Sequence, residues 1–221
     1  MLTPDEIRAN IAAVSGRIEA ACARAGRRRD DVRLVAVSKT FPAEAVDAAI
    51  LAGMTDLGEN RVQEARDKKP LVKGSARWHL IGHLQSNKAK DAVKLFDVIE
   101  TVDSIALAEK IARAAAAVGK RQEVLLQVNV GGEEQKSGAK PEETASIAKT
   151  IASMDGLLLR GLMTIPPDDD DPRRWFRRMR ELQIETGLQE LSMGMSEDFE
   201  IAIEEGSTMV RVGRAIFGAR G

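Results

Sequence analysis

Eight short runs of β-branched and apolar residues alternate with eight helical segments along this chain, and that alternation most narrows what it can fold into. The strand-like runs fall at 32–39, 56–60, 76–82, 97–102, 124–130, 157–163, 191–194 and 209–212. Most are nearly continuous in apolar character, as expected of strands buried on both faces. Between them the pattern predicts helices at 43–52, 61–69, 86–95, 104–118, 141–154, 172–185 and 197–205. A further helix, opened by Thr3-Pro4-Asp5-Glu6, runs to about Gly26; threonine serves as cap, proline takes the first helical position, and glutamate reaches back to the cap. Short loops and the lack of any linker favour a closed (β/α)8 TIM barrel over an open doubly wound sheet, with 1–221 as one domain. Very little chain follows the last strand, so the N-terminal helix is expected to cover the face an eighth helix would take.

Charge narrows the ligand. The 33 Lys and Arg nearly balance the 34 Asp and Glu, leaving a net charge of -1 and no general attraction to nucleic acid or an anionic membrane. No apolar stretch resembles a signal peptide or a bilayer span, and one cysteine, Cys22, makes no internal disulfide, which together point to the cytoplasm. No large apolar helix face demands a partner, so a monomer is expected.

In a β/α barrel, chemistry belongs at the carboxyl ends of the strands. Lys39 closes the first run, where partial desolvation favours the free amine that attacks a carbonyl to form an imine. The plain alternative is a rim lysine with its stem on the barrel and its head in water. At the end of strand seven, Ser196 with Glu197 and Asp198 is read as a helix N-cap whose hydroxyl and following amides face an anion, or as an ordinary cap. At the end of strand eight, amides around Gly213 and Arg214 fit the phosphate site that barrels build from their last two loops. Arg211 shares the face of Gly213 and is either a ligand contact or a barrel-layer arginine paired to Glu59 or Glu100. An imine-forming lysine beside a phosphate cradle points to an aldehyde that carries a phosphate, and pyridoxal 5′-phosphate (PLP) is the obvious candidate.

The remaining polar residues have simpler explanations. His79 and His83 are the only histidines, and with Cys22 they make a poor metal set. His79 is read as a satisfied core histidine and His83 as a rim residue. The glycine-rich stretch 131–138 is a mobile cover or a solvated loop. Asp168-Asp169-Asp170-Asp171, the arginines from 173 to 178 and Arg27-Arg28-Arg29 are read as solvated faces; with no interleaved aromatics they do not suggest nucleic-acid binding.

Several segments resemble the pyridoxal phosphate homeostasis proteins of the YggS/PROSC type. They are Ala36-Val37-Ser38-Lys39-Thr40, Gly58-Glu59-Asn60-Arg61-Val62-Gln63-Glu64, 78–88, Lys136-Ser137-Gly138, Gly161-Leu162-Met163, 191–196 and 211–218, in order along nearly the whole chain. The resemblance implies a PLP-binding barrel like that of the alanine racemase N-terminal domain. Lys39 would hold the cofactor as an internal aldimine, Ser196, Gly213 and Arg214 would be phosphate ligands, and Arg211 would face the pyridine nitrogen. Asn60, His83 and Met163 match positions near the cofactor. Arg214 stands where many members carry threonine or serine, so a hydroxyl contact is lost and a guanidinium is available instead.

Catalytic equipment is sparse. Racemases of the related barrel type use a tyrosine as second base, and this chain has no tyrosine. A guanidinium opposite the pyridine nitrogen stays charged and does not protonate it, which weakens the ring as an electron sink. The expectation is a non-catalytic PLP-binding protein of intracellular PLP homeostasis, which delivers the cofactor to PLP-dependent apo-enzymes. A racemase or lyase with His83 as second base is the alternative, and a Schiff-base aldolase acting on a sugar phosphate is a third.

Overall fold

The computed structural model describes residues 2–169 and 171–219. Met1, Asp170, Arg220 and Gly221 lie outside the described residues, so the acidic run is seen only at Asp168, Asp169 and Asp171.

The chain begins with α1 (Pro4–Arg24) and continues through β1 (Arg33–Val37), α2 (Ala43–Leu51), β2 (Asp56–Glu59), α3 (Val62–Lys68) and β3 (Arg77–Leu80). Next come α4 (Ala89–Leu95), β4 (Val98–Val102), α5 (Ile105–Ala116), β5 (Gln122–Gln127), α6 (Thr144–Ala152) and β6 (Leu157–Met163). The last part comprises α7 (Arg173–Thr186), β7 (Glu190–Ser192), α8 (Phe199–Glu204), β8 (Met209–Val212) and a four-residue α9 (Arg214–Phe217). All eight strands pair in parallel in sequence order, and β8 pairs with β1 to close the barrel. The closed (β/α)8 expectation is met.

Strand alternation divides the apolar residues into two populations. In β1, Leu34 and Ala36 belong to the core cluster shared with the helices. Val35 and Val37 point the other way and press on Gly58, where a Cβ would meet a methyl of Val35 and of Ile81 at 3.1 Å each. The N-terminal helix starts as its sequence dictates: the Thr3 hydroxyl accepts from the Glu6 amide, while the Glu6 carboxylate accepts from the Thr3 amide at 2.7 Å. Its buried face, Ile7, Ile11, Val14, Ile18, Ala21 and Cys22, follows helical spacing. It packs against α2, α8 and α9, filling the gap in the helical ring beside the β1–β8 seam.

Two expectations change in detail. Strand β1 ends at Val37, so Lys39 lies two residues past it. Ser196 is not the helix cap. The N-cap of α8 is Asp198, whose carboxylate instead accepts from the Met195 amide at 2.6 Å, and this leaves Ser196 in the preceding turn. Carboxylate and hydroxyl both suit a cap, and the tight Met195–Asp198 turn gives the position to aspartate.

Candidate functional site

The carboxyl ends of the strands open into a cleft of about 830 Å³ whose wall includes Lys39, Asn60, Ser196, Arg211, Gly213 and Arg214. Six of the eight residues singled out from sequence thus converge, although they come from strand ends as far apart in sequence as β1 and β8. Lys39 is half-buried there. Asn60 follows β2 directly, and Gly82 after β3 makes room for it: a Cβ on Gly82 would stand 2.2 Å from the Asn60 carbonyl oxygen.

Arg211 is 3% exposed yet reaches the cleft wall. Its Nη2 donates to the Thr164 carbonyl at 2.7 Å and its Nη1 to Ser192 Oγ at 2.6 Å. The Ser192 hydroxyl in turn donates to Glu100 Oε2 at 2.6 Å. Glu100 Oε1 lies 2.7 Å from His79 Nδ1, and His79 Nε2 lies 3.0 Å from Asp56 Oδ1. Five strands thereby share one buried polar chain. Arginine of the barrel layer and arginine of the cleft are here the same residue, tied to Glu100 through Ser192, while Glu59 pairs with Lys68 instead.

Opposed charges shift the titration of this chain. Burial works to lower the pKa of His79, but its bonds to Asp56 and Glu100 outweigh that and raise it, favouring the imidazolium. Burial works to raise Glu100, and the His79 bond and charge, with Arg211 and Ser192, bring it below the usual carboxylate range. Burial lowers Arg211, opposed by the Glu100 and Asp198 carboxylates. His79 is therefore the satisfied core histidine the sequence suggested.

The opposite wall is built from the ends of β7 and β8. Gly213 lies against β1, where a Cβ would meet the Val37 carbonyl oxygen at 3.2 Å, so the bare α-carbon lets the end of β8 settle close to the segment bearing Lys39. Ser196 stands on the β7 side. The Arg214 guanidinium bridges to Glu197 at 2.7 Å, and both side chains are mostly exposed. Phe41 also lines the cleft, stacked on Phe217 at 5.2 Å between ring centroids.

His83 and Met163 are not part of the cleft wall. Met163 is fully buried at the end of β6, where its carbonyl accepts from Val128. His83 is exposed on the β3–α4 loop, with Nδ1 3.2 Å from Ser137 Oγ and 3.6 Å from Asp103. The glycine-rich stretch is anchored at its root, where Asn129 Nδ2 donates to the carbonyls of Glu133 and Lys136. Lys136 from this loop does line the cleft, its Nζ donating to the Pro166 carbonyl at 2.9 Å. Sequence reasoning missed Phe41, Ile81, Ile165 and Met195 as wall residues, because single apolar residues in loops carry no periodic signal.

The match to known proteins is extensive. Residues 5–221 fit the family described as alanine racemase, N-terminal domain. A pyridoxal phosphate homeostasis protein of Pseudomonas aeruginosa is 44% identical over 217 residues, covering 96% of this chain and 94% of that one. One from Aquifex aeolicus is 42% identical over 214 residues, with 92% and 94% covered. PipY of Synechococcus elongatus, solved with PLP bound, superposes with a TM-score of 0.82 at 36% identity over 96% of this chain and 100% of that one.

Proposed function

Given that the chain belongs to the pyridoxal phosphate homeostasis proteins, within the alanine racemase N-terminal domain family, we propose that its cleft binds PLP through a covalent link to Lys39. The protein then keeps the cofactor available inside the cell and passes it to PLP-dependent apo-enzymes, without metabolic turnover of its own. The observation that carries this is the convergence of the Lys39 amine, Ser196, Gly213, Arg214 and the buried Arg211 guanidinium on one cleft.

The residues fit the group in kind. Lys39 supplies the amine. Ser196 offers a hydroxyl, Gly213 an approachable backbone, and Arg214 a cation whose exposed bridge to Glu197 a phosphate can replace. Bound there, PLP supplies an aldehyde for the lysine and a ring that draws electron density. Arg211 is anchored by Ser192 and Thr164 and would face the ring nitrogen. A guanidinium so held remains charged and keeps its protons, which limits how far the ring can stabilise a carbanion. His83 stands exposed on the β3–α4 loop beside Ser137, and this reading gives it no role as a second base.

Borohydride reduction of the PLP-loaded protein, followed by peptide mapping, tests the assignment. The adduct is expected on Lys39, together with loss of the visible absorption band. An adduct on Lys136 or Lys88 in its place would refute it.

A further inference from the structure

We infer that Glu64 and Lys68, on successive turns of α3, are positioning residues for Lys39 that hold the peptide units on both sides of it. This rests on the reading that Lys39 carries the cofactor. Thr40 has a φ of 69°, and it is the one non-glycine residue with positive φ among the described residues. A β-branched residue avoids that region unless its surroundings compel it, and Thr40 is exposed, so packing does not. It is the third residue of a turn closed by the Phe41 amide on the Ser38 carbonyl at 3.1 Å, and within that turn its own amide is held by a hydrogen bond to Glu64 Oε1.

On the other side of Lys39, Ser38 is tied at three points. Its amide donates to the Gly58 carbonyl at 3.0 Å, its hydroxyl to Glu59 Oε1 at 2.7 Å, and its carbonyl accepts from Lys68 Nζ at 2.8 Å. Lys68 Nζ also donates to Glu59 Oε1 at 2.6 Å and lies 3.4 Å from Glu64 Oε1. One ion cluster therefore grips both neighbours of Lys39, with Lys68 7% exposed and Glu59 fully buried. Residues 64 and 68 are four apart, which puts them on the same helical face. Buried Lys–Glu pairs are poor stabilisers, because desolvation offsets their attraction and an apolar pair would serve stability as well. This pair gains a purpose from its bonds to the two peptide groups that set the direction in which Lys39 leaves the chain.

The test compares wild type, Glu64→Ala, Glu64→Gln, Thr40→Gly and Thr40→Gly/Glu64→Ala in two measurements. One is the rate at which the borohydride-trapped Lys39 adduct grows after PLP is added. The other is equilibrium binding of pyridoxamine 5′-phosphate, which has the ring and phosphate but no aldehyde and so reports the folded cleft alone. Glu64→Ala should slow adduct formation about tenfold, roughly the effect of one lost hydrogen bond to a charged group, with pyridoxamine phosphate binding unchanged. Glu64→Gln keeps an acceptor for the Thr40 amide and should remain near wild type. Thr40→Gly/Glu64→Ala should recover most of the rate, since glycine takes positive φ without help. An unchanged rate in Glu64→Ala, equal loss of both ligands, or no recovery in the double variant would each overturn the inference. Absence of a Lys39 adduct in wild type would instead overturn the proposed function on which it rests.

Discussion

Ser196 and Arg214 reach the cleft with different prior commitments. Arg214 already bridges to Glu197 in an exposed pair, an interaction of about 0–1 kcal/mol that a phosphate can displace. Ser196, freed from capping by Asp198, has its hydroxyl available to an anion. A hydrogen bond to a charged group contributes about 1.5–3 kcal/mol, so Ser196→Ala should weaken PLP binding about tenfold or more while hardly changing binding of unphosphorylated pyridoxal. Titration of both ligands checks this, and equal loss would assign Ser196 a structural role only. Lys39, Ser196, Arg211, Gly213 and Arg214 were legible in sequence as cleft residues because they sit at strand ends or in the loops that follow, where topology puts a barrel's cleft. Lys68 was not. A lysine on a helix normally faces water, and its burial depends on Glu59 and the Ser38 carbonyl, which local pattern does not bring near it.

Among the elements, α1 shows how a segment outside the repeating pattern completes the ring. It buries Ile18 fully, against neighbours at the opposite end of the chain as well as α2. Ile18→Ala should cost about 2–5 kcal/mol, as for other large-to-small core changes, seen as a lower denaturant midpoint with an unchanged slope. Near-wild-type stability would show that the helix is loosely docked. Alternation and capping residues located α1 and the eight strands: β6 and β8 coincide with the expected runs, and elsewhere ends shift by up to three residues, mostly where ladder bonding stops before the apolar run does. The short α9 escaped notice, since four residues give no periodicity. Equally hidden was the polar chain from Asp56 to Arg211, because its members lie on five strands and meet only when the barrel closes.

That chain gives the molecule a pH signature. His79 has its pKa raised from 6.5, so the stability it confers is complete below that value and is lost as pH rises through its folded pKa. Asp56 and Glu100, both lowered, contribute in the other sense, and what they contribute is lost in acid as pH falls through their folded values. Denaturant unfolding of wild type and His79→Gln at about pH 6 and about pH 9 should show a stability gap that is larger at the lower pH, because His79 is charged there. A gap that stays constant or widens at high pH would mean the imidazole is buried neutral.

At the scale of the whole molecule, a closed barrel with near-neutral net charge presents a cleft at the carboxyl ends of its strands, and the proposed role is to hold a reactive aldehyde and release it to others. The most direct test loads the protein with PLP and divides the sample. One part is incubated with a panel of L- and D-amino acids, following racemisation, decarboxylation and elimination; the other is mixed with an apo-enzyme whose activity reports cofactor transfer. The account predicts restored apo-enzyme activity and amino-acid conversion far below ordinary enzymatic rates, on the order of 1 s⁻¹ or above. Conversion at such rates, abolished by Lys39→Ala, would contradict it.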